Sequence, residues 1–238
     1  DLNLRGRAYA QLAVVRSQSK TCFSQSDGTR LFGEANVKSL IEKAQKYGSN
    51  DAWTLTECGR IIRYTDLNFG TLLLERSLSI KKHSATLHHL GMCYEENAKR
   101  TAKREAKMWN RNYGASQQTC RRQPERFQAE IPESSAMRYP VSKFPLKSDD
   151  PYVVIAIDYY TQAIDISYDC NNPARFSLGI LLKKCGDLEE ALKQFNRIIH
   201  LTSKNDGAIS KRSGECSEYL HTVTAAYEQA GLCLLELA

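Results

Sequence analysis

Residues 171–201, NNPARFSLGILLKKCGDLEEALKQFNRIIHL, constrain the fold more than any other stretch of the chain. Leu178, Leu182, Leu188, Leu192, Phe195 and Ile198 recur at helical spacing on both sides of a break. Gly186 marks that break as a C-terminal stop and Asp187 follows as an N-cap, with Glu190 three residues on to close a capping box. Gly179 and Ala191 are small enough for the two helices to cross closely. A helix–turn–helix unit of this kind cannot bury its apolar face alone. It therefore predicts stacked neighbours, a curved all-α array, and a binding surface rather than a catalytic cleft.

Related units precede it. In residues 51–82, Leu55, Gly59 and Ile62 mark a first helix. Residues 70–77 mark a second, and Leu72, Leu73 and Leu74, with Leu78 and Ile80 just beyond, predict a buried layer. The next first helix, ATLHHLGMCYEENAKR, carries Leu87, Leu90, Gly91 and Tyr94. Its partner comes late, at VVIAIDYYTQAIDI, with Ala156, Tyr160 and Ala163. Residues 4–16 and 33–47 (Val37, Leu40, Ile41, Ala44) form a weaker pair, joined by a polar stretch too long for a standard turn. Residues 219–237, with Gly231, read as a last helix. The whole chain, 1–238, is thus expected to be one superhelical solenoid of about four repeats, interrupted at about 99–150, and a fragment of a longer protein.

These units resemble tetratricopeptide repeats, whose first helix follows W-x2-L-G-x2-Y and whose second follows A-x3-F-x2-A. In such repeats the second, fifth, ninth and twelfth positions of the first helix face the concave groove. Counting Gly59 as the eighth position puts Trp53, Thr56, Arg60 and Arg63 there. The next repeat contributes Ala85, His88, Met92 and Glu95, and the last full one Pro173, Phe176, Ile180 and Lys183, a mostly apolar floor. Arg60 and Arg63 beside Trp53 suit an anion, because guanidinium forks match phosphate and an indole ring can stack. Ordinary pairing of both arginines with acidic groups on a neighbouring helix is the competing reading.

Charge is concentrated in one place. Residues 99–126 hold nine basic and two acidic residues, a net +7 against +6 for the whole chain, which leaves the remainder at −1. Lys99, Lys103, Lys107 and Arg111 fall at four-residue spacing, one stripe if the preceding helix continues, with Trp109 and Tyr113 beside it. The stripe is either a solvated helix face leading to a loop or a surface for a polyanion. Pro124, Pro132, Pro140, Pro145 and Pro151 forbid continuous helix through the rest of the interruption.

Other chemistry finds little support. The eight cysteines form no C-x2-C pair and the five histidines share no metal-ligand spacing with them, so reduced cysteines, a cytoplasmic location, and neither metal nor cofactor are expected. His89 reads as a structural histidine on a packed helix. There is no phosphate-binding glycine loop, G-x-S-x-G elbow or H-E-x-x-H, so no catalytic residue is assigned and an enzyme is not expected. No apolar run reaches the about 18 residues of a membrane-spanning helix.

The segment TLHHLGMCY, followed by a basic insertion and then AIDYYTQAIDI, resembles the interferon-induced proteins with tetratricopeptide repeats. In that family an L-H-x-Q-I-G-x-C-Y helix runs into an interrupted segment; His89 and Leu90 stand here where the family has Gln and Ile, with a one-residue slip. The family's K-F-Y-R-R-K-D segment corresponds to residues 60–66, so its first basic residue and first arginine fall on Arg60 and Arg63. The resemblance implies innate antiviral defence through 5′-phosphorylated RNA ends held in a basic channel. Arg63 would be the first phosphate contact, Arg60 and Tyr64 the next, His88 on the groove wall, and Trp53, Lys99, Lys103 and Lys107 accessory. The alternative is a scaffold binding a peptide or partner helix over Phe176, Ile180 and Lys183. Either could act as a homo- or hetero-oligomer.

Overall fold

A computed structural model describes residues 2–22, 30–120, 146–167, 172–209 and 216–238, with side chains at 2–17, 37–109, 111, 146–167, 172–201 and 221–238. Among these residues the chain is all-helical: α1 (Leu2–Cys22), α2 (Arg30–Gly48), α3 (Ala52–Ile62), α4 (Leu67–Ile80), α5 (Ser84–Cys120), α6 (Pro151–Ile166), α7 (Asn172–Lys184), α8 (Leu188–Ile209) and α9 (Cys216–Leu237). The helix over the basic stripe continues through Cys120, and α1 runs on to Cys22, well past residue 16. The proline-rich residues 121–145 lie outside the described part.

Local chemistry sets the helix ends. Aspartates cap three of the even-numbered helices: Asp66 accepts from the Phe69 amide at 3.0 Å, Asp150 from Tyr152 at 2.8 Å, and Asp187 from Glu190 at 3.2 Å. Pro151 sits in the first turn of α6, where a missing N–H costs nothing. Between α7 and α8, Gly186 takes a φ of +86°, and the amides of Gly186 and Asp187 donate back to the Lys183 and Leu182 carbonyls, closing α7 in a Schellman turn. The expected capping box is only half formed. The Leu182 carbonyl takes the Asp187 amide, and Glu190 turns instead to Lys193 (2.8 Å) and Gln194 (2.9 Å).

Packing is local along the chain. The pairs α1–α2, α3–α4, α5–α6 and α7–α8 are hairpins, and each odd-numbered helix also touches the next odd one. No even-numbered helix touches the next even one among the described residues. The odd-numbered helices thus form the more closely joined row of the array, and the side they line is called the inner side below.

The same contact recurs inside three hairpins: a Cβ added at Gly59 would lie 2.7 Å from Leu74, at Gly91 2.6 Å from the Tyr160 ring, and at Gly179 2.7 Å from the Phe195 ring. Leu74, Tyr160 and Phe195 are fully buried at these crossings. The core is a chain of clusters, one around Ile41, Leu55 and Cys58, one around Leu74 and Leu90, and one around Tyr160, Phe195 and Cys233. Leu72 and Ile80, expected in a buried layer, are exposed on the outer face of α4, and only Leu73 and Leu74 of that run are buried. An unbroken apolar run cannot say which of its residues faces inward.

Asp51 ties α1 to α3. Its carboxylate accepts from the Thr54 amide (3.1 Å) and hydroxyl (2.6 Å), and from Arg7 through Nε (3.0 Å) and Nη2 (2.9 Å). The Arg7 fork, helped by Thr54, holds the Asp51 carboxyl down at about 2 despite the opposing effect of burial. Asp51→Ala should cost about 0.5–2 kcal/mol in denaturant melts, the range for a lost N-cap. Asp51→Asn should keep most of the cap. The folded pKa is the lower one, so the carboxylate's own contribution is complete above its ordinary 3.8 and fades as pH falls through about 2.

Candidate binding face on the inner side

Trp53, near the start of α3, is 42% exposed and lies under the Arg7 guanidinium, 6.0 Å from the ring centroid. It lines an open cavity of about 680 Å³ between α1, α3 and the start of α5, together with Gln11, Thr56, Lys81 and His83. Thr56 belongs to the cavity floor and to the core. Its hydroxyl lies 2.8 Å from both Ser77 Oγ and Thr86 Oγ1 and donates to the Ala52 carbonyl, a hydroxyl knot joining α3, α4 and α5.

One turn along α3, Arg60 forks onto Glu57 through Nε (3.0 Å) and Nη2 (2.7 Å). The partner sits on the same helix, three residues back, so Arg60 is locally neutralised. Arg63 is 7% exposed. It donates to Tyr64 Oη (2.8 Å), His89 Nδ1 (3.3 Å) and Met92 Sδ (3.1 Å), and its guanidinium lies 4.8 Å from the Tyr64 ring centroid. Arginine can only donate, so His89 accepts through Nδ1 and carries its proton on Nε2. His88 stacks on His89 at 5.4 Å and lies 3.1 Å from Ser177 Oγ on α7. Burial, then the Arg63 charge, pushes His88 down to about 4 and His89 down to about 2. Both rings are neutral at physiological pH, so neither adds positive charge to the face.

Further along α5 the inner row meets a carboxylate. Glu95, 7% exposed, accepts from Tyr160 Oη (2.9 Å), Lys99 Nζ (2.8 Å) and Lys184 Nζ (2.9 Å), joining α5, α6 and α7. Burial alone would raise its pKa, but the two lysines outweigh burial and hold it below its usual range. Lys183 pairs with Glu236 on α9 at 3.1 Å, while Phe176 packs on Phe195 with ring centroids 5.7 Å apart and Ile180 is half-buried against the same cluster. Lys103, Lys107 and Arg111 are exposed on one stripe of α5, whose opposite side buries Ala98 and Ala106.

Of the residues expected at a phosphate site, Arg63 touches Tyr64 on one side and His89 on the other, His88 stacks on His89, Arg60 is held by Glu57, Trp53 stands apart at the cavity, and Lys99 is drawn into the Glu95 cluster. Lys103 and Lys107 lie one and two turns beyond Lys99, with Lys107 about 12 Å from it along the axis. Glu95 falls on a counted groove position, but its role as the hub of the polar cluster could not be read from its spacing. Lys99, four residues on, was the available signal. The Arg7–Asp51 fork spans 44 residues and left none.

Cys58, Cys93 and Cys233 are free and buried, Cys185 free and half-buried, and burial pushes the Cys58 thiol up to about 12. Among the described residues, no cluster of His, Cys, Asp or Glu could hold a metal ion and no helix is long and apolar enough to cross a membrane. No protein-family model matches this chain, and no curated protein matches it significantly.

Proposed function

We propose that the chain is a tetratricopeptide-type solenoid that serves as a protein-interaction scaffold, taking an extended segment or helix of a partner along its inner side. The observation that carries this reading is the state of the inner cations. Arg7, Arg60, Lys99, Lys183 and Lys184 each hold a carboxylate of this chain. An open cavity lies beside Arg7 at Trp53, and on α7 Phe176 and Ile180 are half-buried apolar side chains. The recurrence of a glycine against a large side chain in three hairpins, and contacts that among the described residues are confined to near neighbours along the chain, support the repeat assignment. The cysteines among the described side chains are free, three of them buried and one half-buried, which suits a reducing compartment such as the cytoplasm.

A second reading, recognition of phosphorylated RNA ends in antiviral defence, is favoured by Arg63. This nearly buried guanidinium has only neutral partners among the described residues. Lys103 and Lys107 would then extend the contact. It requires Tyr64, itself 74% exposed, to turn aside and admit the phosphate.

Filter binding of triphosphate-, monophosphate- and hydroxyl-ended RNA at two ionic strengths separates the two. The scaffold reading expects weak RNA retention, lost with salt and indifferent to the end group. End discrimination that persists at the higher salt and disappears in Arg63→Gln or Arg63→Glu would overturn it.

A further inference from the structure

We propose that the cavity at Trp53 is a subsite for an acidic peptide segment bearing one aromatic or large aliphatic side chain, with that side chain on the indole and its flanking carboxylates on the α4–α5 turn. The proposal rests on the scaffold reading and names its first point of contact. A volume of about 680 Å³ is that of a ligand pocket, not a packing defect. Trp53 supplies an anchor of the residue type that most often dominates binding energy, and it is already 42% open to solvent.

The charges around it discriminate between occupants. Asp51 and Glu57, the acidic residues of the lining, are each consumed by an arginine, Arg7 and Arg60. At the α4–α5 turn, Lys81, Lys82 and His83 are consecutive and exposed, and neither lysine has an ion-pair partner among the described residues. Lys81 and His83 line the cavity itself. The first turn of α5, also part of the lining through Ala85 and Thr86, contains no acidic residue to offset the positive end of a 37-residue helix. An apolar floor edged by unspent positive charge fits an acidic-aromatic segment and disfavours a basic one.

The probe is a short, fluorescently labelled synthetic peptide with one phenylalanine among glutamates, titrated by the anisotropy of its own label so that the readout survives substitution of Trp53. Binding should weaken by about thirtyfold in Trp53→Ala, be restored by Trp53→Phe, and fall by about tenfold in Lys81→Glu/Lys82→Glu, the last effect shrinking as salt is raised. The lysine pair is exposed, so its reversal tests the site even if Trp53→Ala fails to fold. Replacing phenylalanine by alanine, or glutamate by lysine, should abolish the signal. Equal binding of the lysine peptide, or no response to either variant, overturns the subsite. Peptide binding that depends on Phe176 and Ile180 but not on Trp53 overturns it while leaving the scaffold reading intact. Selective binding of phosphorylated RNA ends without any peptide binding overturns both.

Discussion

Tyr160→Ala is expected to destabilise the protein by about 3–5 kcal/mol in urea melts, the cost of truncating a fully buried aromatic ring. The ring fills the crossing between α5 and α6 against Gly91, and its hydroxyl donates to Glu95 at 2.9 Å. A double-mutant cycle makes the prediction sharper. In the native background Gly91→Ala forces a methyl to within 2.6 Å of the ring, an overpacking cost of about 1–3 kcal/mol. In the Tyr160→Ala background that space is vacant, and the same substitution gains up to about 1 kcal/mol of helix propensity. The sign of Gly91→Ala should therefore reverse between the two backgrounds. Additive effects would mean that the two helices do not meet through this pair.

Stability should fall steeply as pH is lowered from about 6.5 towards about 4. His88 and His89 are neutral in the folded chain, with values pushed down to about 4 and about 2, while in the unfolded chain each takes up a proton near 6.5. The folded values are the lower ones, so the unfolded state binds more protons throughout this window. Each ring then costs about 1.4 kcal/mol of stability per pH unit of acidification. Above about 6.5 neither contributes any pH dependence. Arg63 reinforces the effect, because a second cation beside it on the inner face would be repelled, whereas Glu95 partly relieves His88. His83, His200 and His221 are exposed and do not share these surroundings. Chemical denaturation at several pH values should show the slope halved in His88→Asn or in His89→Asn. A flat wild-type profile between about 6.5 and 5 would exclude the buried neutral pair.

Much of the architecture is legible in the residues themselves. Gly59, Gly91 and Gly179 mark the helix crossings, Gly186 and Asp187 mark a turn, and the spacing of Leu87, Leu90 and Tyr94 announces α5 before its partner arrives more than fifty residues later. What periodicity could not separate was Leu72 from Leu73, because a run of consecutive leucines fits any helix face. The inner row was legible as positions and illegible as chemistry. Counting turns placed Arg60 and Arg63 side by side, but not the fates that distinguish them. Arg60 meets Glu57 on its own helix, while Arg63 meets a tyrosine, a histidine and a thioether, two of which come from α5. The Trp53 cavity needs α1, α3 and α5 together, and no single segment of sequence carries its signature.

Among the described residues no helix touches another more than two places away along the chain, so nothing there braces one end of the array against the other. In the proposed solenoid such an array would act as a spring: small rotations at each hairpin junction would add up, and a partner laid along the inner side would widen or tighten the pitch without breaking any single contact.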